Sequence, residues 1–142
     1  MTTYQTVEFV SRWTAEARPA QDDTIVISIN NSWDDFANLQ PGWKDVLALK
    51  FDDVDFLSDR YKRFYLGDAT EILAFVRKYQ DSATRILVHC MAGESRSAAV
   101  AKVIAGMYDL PFPANYEKAN EWVLSVMERT RYRETRAKAL QA

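Results

Sequence analysis

The sequence predicts a single α/β domain: a mainly parallel sheet of about four to five strands flanked by helices. Three observations carry that expectation. Short apolar or β-branched runs alternate with segments of helical periodicity; the runs TIVISIN, VLALKF and RILVH suit strands covered on both faces; and 142 residues are enough for one hydrophobic core without staples. No internal repeat, low-complexity block or linker interrupts the chain, so residues 1–142 are taken as one unit.

Residues 4–10 make a short first strand, followed by a helical piece at 11–17. The run TIVISIN at 24–30 is a strand by its β-branched content. Residues 30–42 are polar and turn-rich, with room for a short helical turn around 33–39. VLALKF at 46–51 is apolar on both faces apart from Lys50, as a buried strand should be. Between 59 and 80, apolar residues at Tyr61, Phe64, Tyr65, Ile72, Leu73, Phe75, Val76 and Tyr79 follow a helical spacing, with Gly67 marking a bend or a break between two helices. A strand at 85–89 and a helix at 97–108 come next. Beyond Pro111 and Pro113 an amphipathic helix runs over 115–130, and residues 126–142 form a basic C-terminal helix or tail.

Composition narrows the chemistry. One cysteine rules out an internal disulfide, and one histidine offers no Cys/His metal cluster, so no cofactor or metal is expected. The net charge of −2 does not suggest a nucleic-acid binder. From Glu128 onward five basic side chains stand against two acidic ones, which reads most simply as a solvated terminal helix or frayed end. No secretory pattern and no membrane-length apolar run is present, so a cytoplasmic monomer without a membrane span is expected.

The most informative stretch is RILVHCMAGESRSAAVAKVIAGMY from Arg85: a strand, a short loop from Cys90 to Arg96, then an alanine-rich helix. A loop of this size at a helix start can wrap one tetrahedral oxyanion. Its amides converge, the helix end adds partial positive charge, and the Arg96 fork binds two oxygens. The same surroundings lower the pKa of Cys90, which places a thiolate beneath a bound phosphate. Gly93 serves both as turn residue and as the position where amides approach a ligand without side-chain conflict. His89 points to the opposite strand face from Cys90 and so reads as a buried hydrogen-bonding support rather than a base.

The segment HCMAGESRS resembles the signature loop of cysteine-dependent protein phosphatases, most closely the dual-specificity branch with its HCxxGxSRS pattern. The resemblance is strong over residues 46–108 and weak elsewhere, because the region after the loop helix is shorter than in that branch; a compact, divergent member is expected. It implies that Cys90 attacks phosphorus to form a phosphocysteine, that Arg96 clamps the phosphate, and that Ser97 donates to the sulfur. Met91, Ala92, Gly93, Glu94, Ser95 and Arg96 would bind phosphate. Phosphate or sulfate would occupy the same loop.

Such an enzyme also needs an acid to protonate the leaving oxygen. The family places an aspartate on a loop after a strand, and the counterpart here is FDDVDFLSD. Alignment on the strand end favours Asp53, with Asp52 and Asp55 as rivals. The implied substrate is a phosphorylated protein or small aryl phosphate. The loop has no lysine, which disfavours phosphoinositides, and Glu94 makes the rim less attractive to highly anionic ligands. Phosphotyrosine is therefore expected first, phosphoserine or phosphothreonine if the cleft is shallow. The competing readings are a phosphoresidue-binding module without turnover and a phosphatase of non-protein esters. Trp33 and Trp43 are the tryptophans placed nearest the site rim.

Overall fold

The computed structural model describes residues 2–141. Its elements run β1 (Thr6–Ser11), α1 (Arg12–Ala17), β2 (Thr24–Asn30), β3 (Asp45–Lys50), α2 (Leu66–Lys78), β4 (Arg85–Cys90), α3 (Arg96–Tyr108) and α4 (Glu121–Gln141). The four strands form one all-parallel sheet in the order β1-β4-β2-β3. This is the single α/β domain with a helix-flanked parallel sheet that the alternating pattern predicts.

Strand chemistry explains the order. All seven residues of β2 are buried, and β4 is buried from Ile86 to Cys90, so these two occupy the centre. Ile25, Ile27, Ile29, Ile86, Val88 and Cys90 belong to one core with Ile72, Leu73, Val100 and Met127 of the helices. Alternate residues such as Ser28 and His89 point to the opposite face. That second face is covered by α1 and the 31–44 segment, which Arg12 holds by donating to the Asp35 and Phe36 carbonyls. α4 packs against both α2 and α3, closing the layer over the first face.

Several boundaries differ from the sequence expectation. β3 is an edge strand whose exposure alternates, rather than a strand buried on both faces; VLALKF is apolar enough for either position, and pairing on one side only decides it. α2 begins at Leu66, and Gly67 lies in its first turn instead of separating two helices. Residues 59–65 are irregular because Asp52 engages both backbone groups of Lys62: its carboxylate takes the Lys62 amide, and its own amide donates at 2.7 Å to the Lys62 carbonyl, an acceptor that a helix would need four residues on. No helical turn forms at 33–39, where Asn30 Oδ1 takes the Ala37 amide and Glu16 takes the Asn38 amide.

The last helix starts at Glu121, not at 115, and continues through the basic tail to Gln141. Asn115 adopts φ +62, incompatible with a helix, and the Asn120 carbonyl oxygen of the side chain caps the Val123 amide at 3.0 Å. Further along, Glu134 bonds Arg77 of α2, which docks the tail on the domain. Among the described residues no helix is long and apolar enough to cross a membrane.

Candidate active site

The loop after β4 is built where a parallel sheet offers a ligand crevice, at the carboxyl end of a central strand and the amino end of a helix. The junction of β1 and α1 holds its near side, with the Arg12 amide donating to the Met91 carbonyl at 3.2 Å. Gly93 has φ +73, and a Cβ there would fall 2.4 Å from Ser11 N and from the Val10 carbonyl carbon. Both the backbone angle and the approach to β1 therefore demand glycine at this position.

Cys90 is only 2 % exposed, at the floor of the loop. Its Sγ lies 3.0 Å from Ser97 Oγ. Burial alone would raise the thiol pKa, but the Ser97 hydroxyl, the Ser97 amide, the Arg96 charge and the Gly93 amide together outweigh it, and the net shift is downward. Arg96 is itself 4 % exposed, anchored by Nη1 donating to the Phe51 carbonyl at 2.8 Å. Its Nε is buried without a hydrogen-bond partner among the described residues. A buried cationic donor lacking a protein acceptor is what an oxyanion-binding guanidinium requires.

The three candidate acids separate in space. Asp52 is 3 % exposed and accepts the Ser32 amide at 2.8 Å, the Ser32 hydroxyl at 2.5 Å and the Lys62 amide at 2.7 Å. Burial pushes its carboxyl up, yet these donors and the charge of Arg96 prevail and hold it below the usual carboxylate range. A carboxylate so fixed braces the 52–62 loop and is ill suited to give up a proton. Asp53 is exposed and reaches the cradle: its Oδ1 accepts from Ser95 Oγ and from Asn120 Nδ2, both at 2.8 Å. Asp55 makes no such bond to the loop.

No family profile and no curated protein sequence matches the chain. Among solved structures, it is similar to the crystal structure of PTPMT1 in complex with PI(5)P, with a TM-score of 0.49 and 19 % identity over 91 % of this chain and 94 % of that one. At that distance the likeness concerns the fold alone. The chemistry of this chain has to be read from its own side chains.

His89 is fully buried, and its Nε2 lies 2.6 Å from Ser28 Oγ on the face away from the sulfur. Burial lowers its pKa to about 4, so the ring is neutral at physiological pH. Glu94 is exposed, its side chain 3.8 Å from Lys118 Nζ and its carbonyl accepting from Tyr116 Oη at 2.5 Å. Met91, Ala92 and Ser95 complete the cradle between Cys90 and Arg96.

Trp33 does stand beside the site, lining a cleft of about 290 Å³ with Asp53, Phe56 and Tyr61. Trp43 does not: it shares a hollow with Thr6, Thr24 and Arg85 at the amino ends of the strands. It precedes β3, whereas Trp33 follows β2, and a parallel sheet sends those two positions to opposite ends. Asn120 escaped the reading of the sequence. Its place before the last helix marks it as a cap, but nothing local reveals that its side-chain amide reaches Asp53 and that its backbone amide donates to the Ser95 carbonyl at 3.1 Å.

Proposed function

We propose that this protein is a cysteine-dependent phosphatase that hydrolyses phosphotyrosine through a phosphocysteine intermediate. The observation that carries the reading is the buried Cys90 thiol at the floor of the loop before α3, 3.0 Å from Ser97 Oγ, in a loop that ends on a buried Arg96 whose Nε has no protein acceptor among the described residues. The Cys90 thiolate attacks phosphorus as the ester P–O bond breaks, and Asp53 gives its proton to the departing oxygen. Asp53, now a carboxylate, takes a proton from water as that water attacks phosphorus. The S–P bond breaks, phosphate leaves, and the Ser97 hydroxyl stabilises the regenerated thiolate by a hydrogen bond to its sulfur. Arg96 and the loop amides bear the equatorial oxygens in both steps.

Support for an aryl substrate comes from the cleft between Trp33, Phe56 and Tyr61, which adjoins Asp53 and is open enough for a phenyl ring. The absence of lysine from the loop and the outward Glu94 weigh against a polyphosphorylated headgroup. The test is turnover of phosphotyrosine, phosphoserine and soluble phosphoinositide by wild type and Cys90→Ser, with rapid quenching to trap phosphocysteine. Fastest turnover of phosphotyrosine, abolished in Cys90→Ser, is expected. Activity surviving in Cys90→Ser would refute the covalent step, and binding of phosphopeptide without turnover would assign the cradle to recognition alone.

A further inference from the structure

A second concave surface lies between the start of α2 and one face of α4. It measures about 320 Å³, and its rim carries Arg63, Arg129 and Arg133 over an apolar lining that includes Leu57, Leu66 and Val126. Trp122 organises it: Nε1 donates to the Phe64 carbonyl at 2.7 Å, and the ring has the Arg63 guanidinium 3.9 Å and that of Arg129 5.4 Å from its centre.

None of the three arginines has a carboxylate within 4.0 Å among the described residues, and the nearby acids of α4 are paired elsewhere, Glu128 with Arg131 and Glu134 with Arg77 of α2. In a chain of net charge −2 this is an uncompensated positive cluster. It is also mechanically close to the cradle, because Phe64 packs on Phe51 at 4.7 Å and the Phe51 carbonyl holds Arg96. Leu57 belongs to the same irregular segment that carries Asp53.

We infer that this groove docks an extended acidic segment of the phosphorylated protein substrate, with the pattern acid, apolar, acid. Arg129 and Arg133 are one helical turn apart, about 6 Å along α4. Alternate side chains of an extended peptide repeat at about 6.6 Å, so two carboxylates can meet the two guanidiniums together. The side chain between them points the other way, toward Leu57 and Leu66, which are 81 % and 48 % exposed. A lipid headgroup can bridge both guanidiniums through its phosphate oxygens, but it carries no apolar side chain to set against Leu57 and Leu66. The inference rests on the phosphoprotein reading of the active site, and its test keeps the two apart.

The probe is a short fluorescent peptide with a glutamate-leucine-glutamate run and no phosphate, followed by anisotropy. Binding to wild type is expected, weakened by salt and weakened about tenfold in Arg129→Glu/Arg133→Glu, with Arg129→Gln/Arg133→Gln intermediate and thermal unfolding verifying that both variants fold. Joined to phosphotyrosine, the same run should lower KM in wild type and not in the double variants, while turnover of a small aryl phosphate is the same in all three. No binding to wild type, or equal binding to wild type and variants, would overturn the inference. So would binding to phosphatidylserine vesicles, but not to the peptide, that the arginine substitutions abolish. Peptide binding by a protein inactive on every phosphate ester would instead refute the catalytic reading and leave the groove standing.

Discussion

Asp52 and Asp53 are adjacent in sequence and opposite in expected behaviour. In Asp52→Asn the amide oxygen can replace only one of two carboxylate oxygens, and three donors converge on them: the Ser32 amide on Oδ1, and the Ser32 hydroxyl and Lys62 amide on Oδ2. Placing the new oxygen at Oδ2 turns the side-chain NH2 against the Ser32 amide, and a buried donor left unpaired costs about 1–3 kcal/mol. Replacing charge-assisted bonds by neutral ones adds roughly 1 kcal/mol. The sum, about 2–4 kcal/mol, is a large part of the roughly 5–15 kcal/mol that holds a domain together.

Asp53→Asn keeps an oxygen for both Ser95 and Asn120 at an exposed position, so its stability should stay within about 0.5 kcal/mol of wild type. Its kcat on an ester with a poor leaving group should fall by about 10²–10⁴, and the alkaline limb of the pH–rate profile that reports the acid should vanish. Urea denaturation and pH-dependent kinetics of both variants decide the matter. The sign of the pH effect is also fixed. The Asp52 pKa is lower folded than unfolded, so its contribution is present above about pH 4 and is lost as pH falls through the folded value. An Asp52→Asn protein with a wild-type urea midpoint, or one that loses the alkaline limb while Asp53→Asn keeps it, would refute this assignment.

Ser97→Ala removes the hydroxyl 3.0 Å from Cys90 Sγ, so the pH midpoint for alkylation of Cys90 by iodoacetamide should move upward; an unmoved midpoint would show that the hydroxyl does not stabilise the thiolate. Gly93→Ala must put a side chain at φ +73 and against the β1 backbone, a strain of about 1–3 kcal/mol from the angle alone, and phosphate affinity measured by calorimetry should drop sharply. As the only histidine, His89 gives an unambiguous imidazole NMR signal, which should titrate near pH 4 rather than 6.5. Its folded pKa is depressed, so it contributes roughly 3 kcal/mol that is complete above pH 6.5 and lost as pH falls toward 4; a normal titration would contradict its burial against Ser28.

How far the sequence reaches depends on the range of the interactions involved. The strands at 24–30 and 85–89, the loop between Cys90 and Arg96 and the helix after it were legible because hydrophobic pattern, glycine placement and helix-start chemistry are local. The outward position of Glu94 and the orientation of His89 away from the sulfur follow from the two-residue period of a strand and the inward turn of the loop amides. The irregular course of residues 59–65 was not legible, since a helical spacing there yields to a buried Asp52 that pairs with both the amide and the carbonyl of Lys62. Nor was the edge position of β3, which only strand order assigns.

By itself, then, the sequence determined the alternating α/β plan and a loop that joins one thiol, one guanidinium and two hydroxyls within eight residues from Cys90 to Ser97. Tertiary structure decided what lies across from that loop. It buried Asp52 and brought Asp53 to Ser95, carried Asn120 from the head of the last helix to the same carboxylate, sent Trp33 to the mouth and Trp43 to the far end, and set Arg63 beside Arg129 and Arg133 of α4 at one groove. Those contacts join residues that the chain holds far apart, and only the packing of helices and loops onto the sheet sets their distances.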